Sequence, residues 1–550
     1  MDLNLLVDLF GYLSIIVHGC TIVAQSMTIG GALFLFILAL PMASKIGPQV
    51  AITTARMAAW AAFALVICEA ATVALQASVL MATVDLSLFD ALGATSAEAG
   101  LAKIGAGLVL SALLFAYGTA APRVPVLVLA LVELVAATMT THAAARLDDQ
   151  AVLLAASFLH QLGAAIWIGG IPAFVSALGT VHDRSGWLAV GARFSRMSMV
   201  GVACIVVSAA AFTFYYIAAP DALYGTAYGV MALAKAVMFA MLLALGYGNF
   251  RTVAKLKAGS DMAVPRMKRF AEIEIGIGFS IFFAAASLTS VPPSVDLTSD
   301  RVTWHEVVER NAPVWPRLVS PQHDALALPA LQAKLDAEAA AQHAAHADHA
   351  FVPGAGFLPE RNAADIAWSE FNHHWAGVFV TLIGLLALLN QAGVRWARHW
   401  PLVFMGLAVF LFLRSDPEVW PMGDEGFFES LRDIEVLQHR FFVFLTVAFS
   451  LFEWRVRLGG WKSTWAPKVF PLLTAVGGAA LLTHSHQIAN VKDALLIELT
   501  HTPLALCAIA AGWARWLEIR SDGKLSRVAG WLWPVLFVVI GLILLDYREA

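Results

Sequence analysis

Sixteen histidines stand out in a chain that is only 13% charged. An imidazole inside an apolar run is costly unless a proton partner, a metal or a cofactor iron satisfies it, so each such residue is a candidate for chemistry. Two stretches repeat one pattern. Met139-Thr140-Thr141-His142 closes one apolar run, Phe158-Leu159-His160 lies within the next, and Trp167 follows. Leu482-Thr483-His484-Ser485-His486 closes another, Leu499-Thr500-His501 lies within its successor, and Trp513 follows. In each, a Thr-His ends one helix and a second His sits about two and a half turns into the next. Adjacent antiparallel helices then carry both imidazoles at a similar depth, a spacing that suits two ligands sharing one transition-metal ion.

Other side chains extend this set. Met139 precedes His142 by three residues, on the same face if the helix continues, and its soft thioether would favour Cu(I). Glu498 stands three before His501 and Glu370 four before His374, where a carboxylate can orient an imidazole or ligate directly. His373 and His374 point about 100° apart on a helix, so one of them faces the bundle; Glu370 favours His374. His18 and His439 come from further runs. For any single one of these histidines a hydrogen-bonded packing role competes with ligation, as it does for Met139. His343, His346 and His349, three apart in an Ala-rich stretch, either line one metal-capturing helix face or belong to a solvated linker. Glu69, Glu133 and Lys235 are intramembrane charges, candidates for function or for helix-fixing ion pairs. Cys20, Cys68, Cys204 and Cys507 have no paired spacing and read as packing residues.

The elements that must position these groups are membrane helices. The 550-residue chain is 59% hydrophobic, and apolar runs of about 18 to 25 residues match a bilayer crossed by helices. The expected fold is an all-α polytopic bundle. Spans are expected near 10–42, 51–82, 101–121, 124–142, 151–178, 194–218, 228–249 and 270–291, then near 371–391, 400–414, 437–454, 469–486, 493–515 and 529–546, about fourteen in all. This gives a domain over 1–291, a periplasmic insert over 292–369 and a domain over 370–550. Basic loops, such as Arg251 to Arg269 and Arg455 to Lys468, alternate with acidic or neutral ones, such as Asp85 to Glu98 and Asp416 to Glu435. The basic loops are expected in the cytoplasm and both termini outside. His18, His142, His160, His373, His374, His439, His484, His486 and His501 then fall in the outer half of the membrane. The first residues lack a signal peptide's basic region and cleavage site, so the first run is expected to be retained. A net charge of −4 offers no phosphate-tracking stripe, so nucleic acid is not an expected partner. No nucleotide-binding loop is present either.

Thr141-His142-Ala143, Leu159-His160-Gln161-Leu162-Gly163 and Trp167-Ile168-Gly169-Gly170 resemble the copper-resistance protein D (CopD) family of bacterial inner-membrane proteins. Arg193-Phe194-Ser195-Arg196, Tyr228-Gly229 through Lys235 to Arg251, and Leu288-Thr289-Ser290-Val291-Pro292-Pro293 extend the resemblance over about residues 100–295. The second half resembles the extension of the family's long form. The resemblance implies copper handling across the inner membrane, with a periplasmic copper-binding partner of the CopC type. The ligands expected on this reading are His142, His160, Met139, His18, His374, His439, His484, His486 and His501. A different class remains open beside it: a b-type haem electron-transfer protein or quinol oxidoreductase, with His374, His439, His484 or His486, and His501 as facing ligands.

Overall fold

The computed structural model describes residues 3–84, 86–259, 263–297, 301–321, 337, 363–416, 419–431, 434–483 and 491–549. Among them the chain is helical, with one isolated β-bridge between Val419 and Glu425. Ten described helices are long and apolar enough to cross a membrane, which makes this a multi-pass membrane protein. Many large apolar side chains face outward: Trp60, Val124, Val207 and Phe214 are all more than half exposed. Such a surface is tolerable in hydrocarbon and untenable in water.

The first compact unit covers residues 1–301 with 482–485. Its helices are α1 (Leu3–Phe34), α2 (Pro48–Val84), α3 (Thr95–Tyr117), α4 (Arg123–Thr138), α5 (Gln150–Ala164), α6 (Ile171–Thr180), α7 (Arg184–Phe212), α8 (Ala227–Lys257) and α9 (Ala263–Leu288). Hydroxyls inside these apolar helices bond back to their own turns, as Thr28 does to the Ala24 carbonyl and Thr54 to the Val50 carbonyl, both at 2.8 Å. Helix starts are capped where they leave the apolar layer: Asp183 accepts from the Gly186 amide and Thr226 from the Gly229 amide.

Between α5 and α6 the chain makes a π-turn over Ala165–Gly169, a local widening that recurs where a helix must accommodate a neighbour. The neighbour is α1. A methyl group on Gly169 would stand 2.0 Å from the Ser26 carbonyl oxygen, and one on Gly30 2.2 Å from that of Ala165. The Trp167-Ile168-Gly169-Gly170 stretch therefore serves a backbone-to-backbone crossing that only glycine permits.

The second unit covers residues 302–481 and 486–550. It holds α10 (Ala363–Gln391), α11 (Val403–Arg414), α12 (Ile434–Arg457), α13 (Ala466–Leu481), α14 (Val491–Arg520) and α15 (Gly523–Leu545). α10 packs on α15, α15 on α14 and α14 on α13. Trp400, Phe470, Trp533 and Phe537 form its aromatic core. The Arg457 guanidinium lies 4.8 Å from the Trp400 ring centre and 5.7 Å from that of Trp533, a cation held by π faces and by Glu453 at 2.7 Å.

Each of the fourteen expected runs overlaps a described helix, but α4, α12, α13 and α14 are not among the ten long and apolar enough to span. α4 and α13 have 16 residues each. The apolar part of α12 is confined between Arg440 and Glu453, and α14 opens with Lys492, Asp493 and Glu498.

Candidate functional site

In the first unit, α5 carries His160 with its Nδ1 2.9 Å from Oγ of Ser208 on α7. The Ser208 hydroxyl proton is directed to the carbonyls of Cys204 and Ile205, at 2.8 and 2.9 Å. Its oxygen is therefore left to accept, which fixes the His160 proton on Nδ1 and leaves the lone pair on Nε2. Phe212 packs edge-on against the ring at 5.4 Å, and Lys235 on α8 lies within electrostatic range.

His142 opens a short helix, His142–Ala145, between α4 and α5. Its ring is hydrogen-bonded to the backbone of Leu288 at the end of α9, and its Nε2 is buried with no hydrogen-bond partner. The bond to Leu288 thus uses Nδ1, and the state matches that of His160. An imidazole anchored through one nitrogen with the other released is the arrangement a metal-ligating histidine requires.

Met139 does not share a face with His142. α4 ends at Thr138, and a turn through Thr140 and Thr141 intervenes, closed by their hydroxyls on the Ala137 and Thr138 carbonyls. The Met139 side chain is 39% exposed in a groove with Glu98, Leu131 and Val135. The helical spacing that suggested a shared ligand face fails because the helix stops. His18 lies partly buried on α1, within electrostatic range of Lys103.

In the second unit His374 corrects the expectation. Its Nδ1 accepts from the Arg317 amide at 2.7 Å, and its Nε2 donates to the Tyr547 carbonyl at 2.8 Å. With neither nitrogen available and 2% exposure, it ties two backbone segments together and cannot ligate in this state. Glu370 does not orient it, because that carboxylate pairs with Arg317 at 3.1 Å. His373, the neighbour passed over, has the other arrangement. Its Nδ1 donates to the Ser369 carbonyl at 2.8 Å, its ring stacks on Tyr547 at 3.9 Å, and the ring centre of His501 lies 6.4 Å away at 81°. Two imidazoles facing across one ion stand about 6 Å apart, given metal–nitrogen bonds of about 2 Å. Glu498 accepts from Thr502 at 3.3 Å.

His439 on α12 bonds through Nδ1 to Asp416 at 2.6 Å, just beyond the end of α11. Burial pushes the Asp416 pKa up, but the hydrogen bonds from His439 and Ser415 and the charges of His439 and Arg440 outweigh it, holding the carboxyl below its usual value. Tyr547 shows the opposite balance: burial and the Glu549 carboxylate, which accepts its hydroxyl at 2.7 Å, push the phenol above its ordinary range.

Among the described residues no three His, Cys, Asp or Glu side chains gather closely enough for a metal ion. The expected convergence of several imidazoles is therefore not found there; His142, His160, His373, His374 and His439 each have their own hydrogen-bond partner, and His373 and His501 are an adjacent pair. His484, His486, His343, His346 and His349 lie outside the described residues. Among the described ligands expected for haem, His374 and His501 do not form a pair. His374 has no nitrogen to offer, and the imidazole beside His501 is His373. Two anchors escaped sequence reasoning, Ser208 and the Leu288 carbonyl, because neither is adjacent in sequence to the histidine it holds. Lys103 escaped as well, although Gly100, Lys103 and Gly107 recur at helical spacing in an apolar run.

A profile of the copper resistance protein D (CopD) family matches residues 188–288. Over this segment the chain is similar to the CopD family. The copper transport protein CutJ of Bacillus subtilis (strain 168) is 32% identical over 163 residues, 29% of this chain and 29% of that relative. The match thus spans under a third of the relative's length. No solved structure gives a significant match. The CopD segment contains both anchors: Ser208, which receives His160, and Leu288, which receives His142.

Proposed function

We propose that the chain handles copper as cargo in the bacterial inner membrane, with His142 and His160 as its first-unit ligands at the periplasmic side. The observation that carries the reading is the common state of His142 and His160: Nδ1 bonded to the CopD segment, Nε2 left with its lone pair. Imidazole nitrogen suits copper, and fixing the tautomer beforehand removes the proton that would otherwise compete with the metal. The CopD profile and the CutJ match point to the same cargo. Basic loops alternating with acidic ones support the orientation, termini outside.

In the second unit, His373 and His501 form the pair best spaced for a second ion, in place of His374. A periplasmic copper-binding protein of the CopC type is the partner this reading includes. The test is copper retained by purified protein after desalting. Native protein should keep copper, and a His142→Ala/His160→Ala variant should lose most of it. Equal copper in the two would remove the assignment, and a Soret band in the native spectrum would replace copper with haem.

A further inference from the structure

Helices α2, α3 and α4 of the first unit bring a charged cluster together within the apolar layer. Lys103 on α3 donates from Nζ to Oε2 of Glu69 on α2 at 2.6 Å, and both side chains are 3% exposed. Glu133 on α4 is fully buried, and neither of its carboxyl oxygens has a hydrogen-bond partner. Gly100, Lys103 and Gly107 share one face of α3. A methyl group on Gly107 would stand 3.2 Å from Oε1 of Glu133, and one on Gly100 3.0 Å from Oε1 of Glu69. The two glycines hollow the helix where the two carboxyls enter.

Charge then decides which group holds a proton. With Glu69 and Glu133 both ionised and Lys103 cationic, the trio would carry an uncompensated negative charge at a cost of several kcal/mol. One proton makes it neutral. Glu69 has the ammonium against it, so the proton belongs to Glu133. The titratable groups facing Glu133 are Lys103 from α3 and Glu69 from α2. Of the other helices packed on α4, α1 brings His18, within electrostatic range of Lys103, and α5 brings His160, whose Nδ1 is taken by Ser208.

We propose that Glu133 is a proton-carrying site that exchanges its proton for positive charge entering the first unit. The O–H bond breaks, its electron pair stays on the carboxylate, the proton leaves, and an arriving monovalent cation compensates the charge; no electron is transferred. The proposal rests on the copper reading for the identity of that cation.

Two measurements on the full chain test it. In vesicles containing a pH-sensitive dye and supplied with Cu(I), about one proton should move per copper ion taken up, as charge balance in a buried site demands. Glu133→Gln should bring that ratio to zero, and Glu133→Asp should restore it. Without metal, the infrared band of a protonated carboxyl lacking hydrogen bonds should be present in native protein, absent in Glu133→Gln, and lost in Glu69→Gln as well, where Glu133 becomes the counter-ion of Lys103. A ratio unchanged in Glu133→Gln overturns the proposal, as does a band indifferent to that substitution. Native copper uptake without proton movement overturns the exchange and leaves the copper reading standing. An absence of native copper uptake overturns the copper reading, and the infrared band then decides whether Glu133 holds a proton at all.

Discussion

Replacing His374 with alanine should destabilise the second unit by several kcal/mol and leave bound copper unchanged. The side chain satisfies two backbone groups at once, the Arg317 amide at 2.7 Å and the Tyr547 carbonyl at 2.8 Å. At 2% exposure water does not take its place. Each buried group left unpaired costs about 1–3 kcal/mol, so the pair costs about 2–6 kcal/mol, and the vacated ring adds lost packing. His374→Gln, which carries both a donor and an acceptor, should recover part of the loss. Equilibrium unfolding of purified protein in mixed micelles measures the free energy, and amide hydrogen exchange at Arg317 reports whether that N–H has been released. A stability change under about 1 kcal/mol together with lost copper would refute the reasoning, because a brace must cost stability and a ligand must cost metal.

Ser208→Ala leaves His160 in place but removes the acceptor that fixes its tautomer, so copper affinity should fall about 10–100-fold, read by competition with a chelator; unchanged affinity would contradict the anchored state. Asp416 has its carboxyl held below its ordinary value of 3.8 in the folded chain, so its contribution to stability is complete above that value and is lost as pH falls through the lowered one. Asp416→Asn should flatten that acid limb in a pH series of melting temperatures. Gly169→Val adds a branched side chain where a methyl group would already stand 2.0 Å from the Ser26 carbonyl oxygen. It should lower stability by at least about 1–3 kcal/mol, measured by thermal melting.

Apolar run length was enough to read an all-helical, multi-pass fold from sequence, since a bilayer admits few other arrangements. Helix ends were less legible. The α4 run was expected to reach His142, whereas the chain leaves the helix at Thr138 because the hydroxyls of Thr140 and Thr141 take over the last carbonyls. That one break moved Met139 away from its expected partner.

The histidines divided for a related reason. Spacing along a helix fixes the direction of a side chain, and nothing in it indicates whether a backbone amide from a distant segment will reach the ring. His373 and His374 are adjacent, yet Arg317 and Tyr547 claim both nitrogens of one, while Ser369 on its own helix claims only Nδ1 of the other. Glu133 was recognisable as an intramembrane acid. That it lacks any donor followed only from the hollow left by Gly107.

X-ray absorption at the copper edge of loaded native protein bears most directly on the claim that anchored imidazoles take the metal through Nε2. The spectrum should carry the multiple-scattering signature of imidazole nitrogen, and that signature should weaken sharply in the His142→Ala/His160→Ala variant. A native spectrum explained by sulfur or oxygen ligands alone, or one identical in the variant, would contradict it.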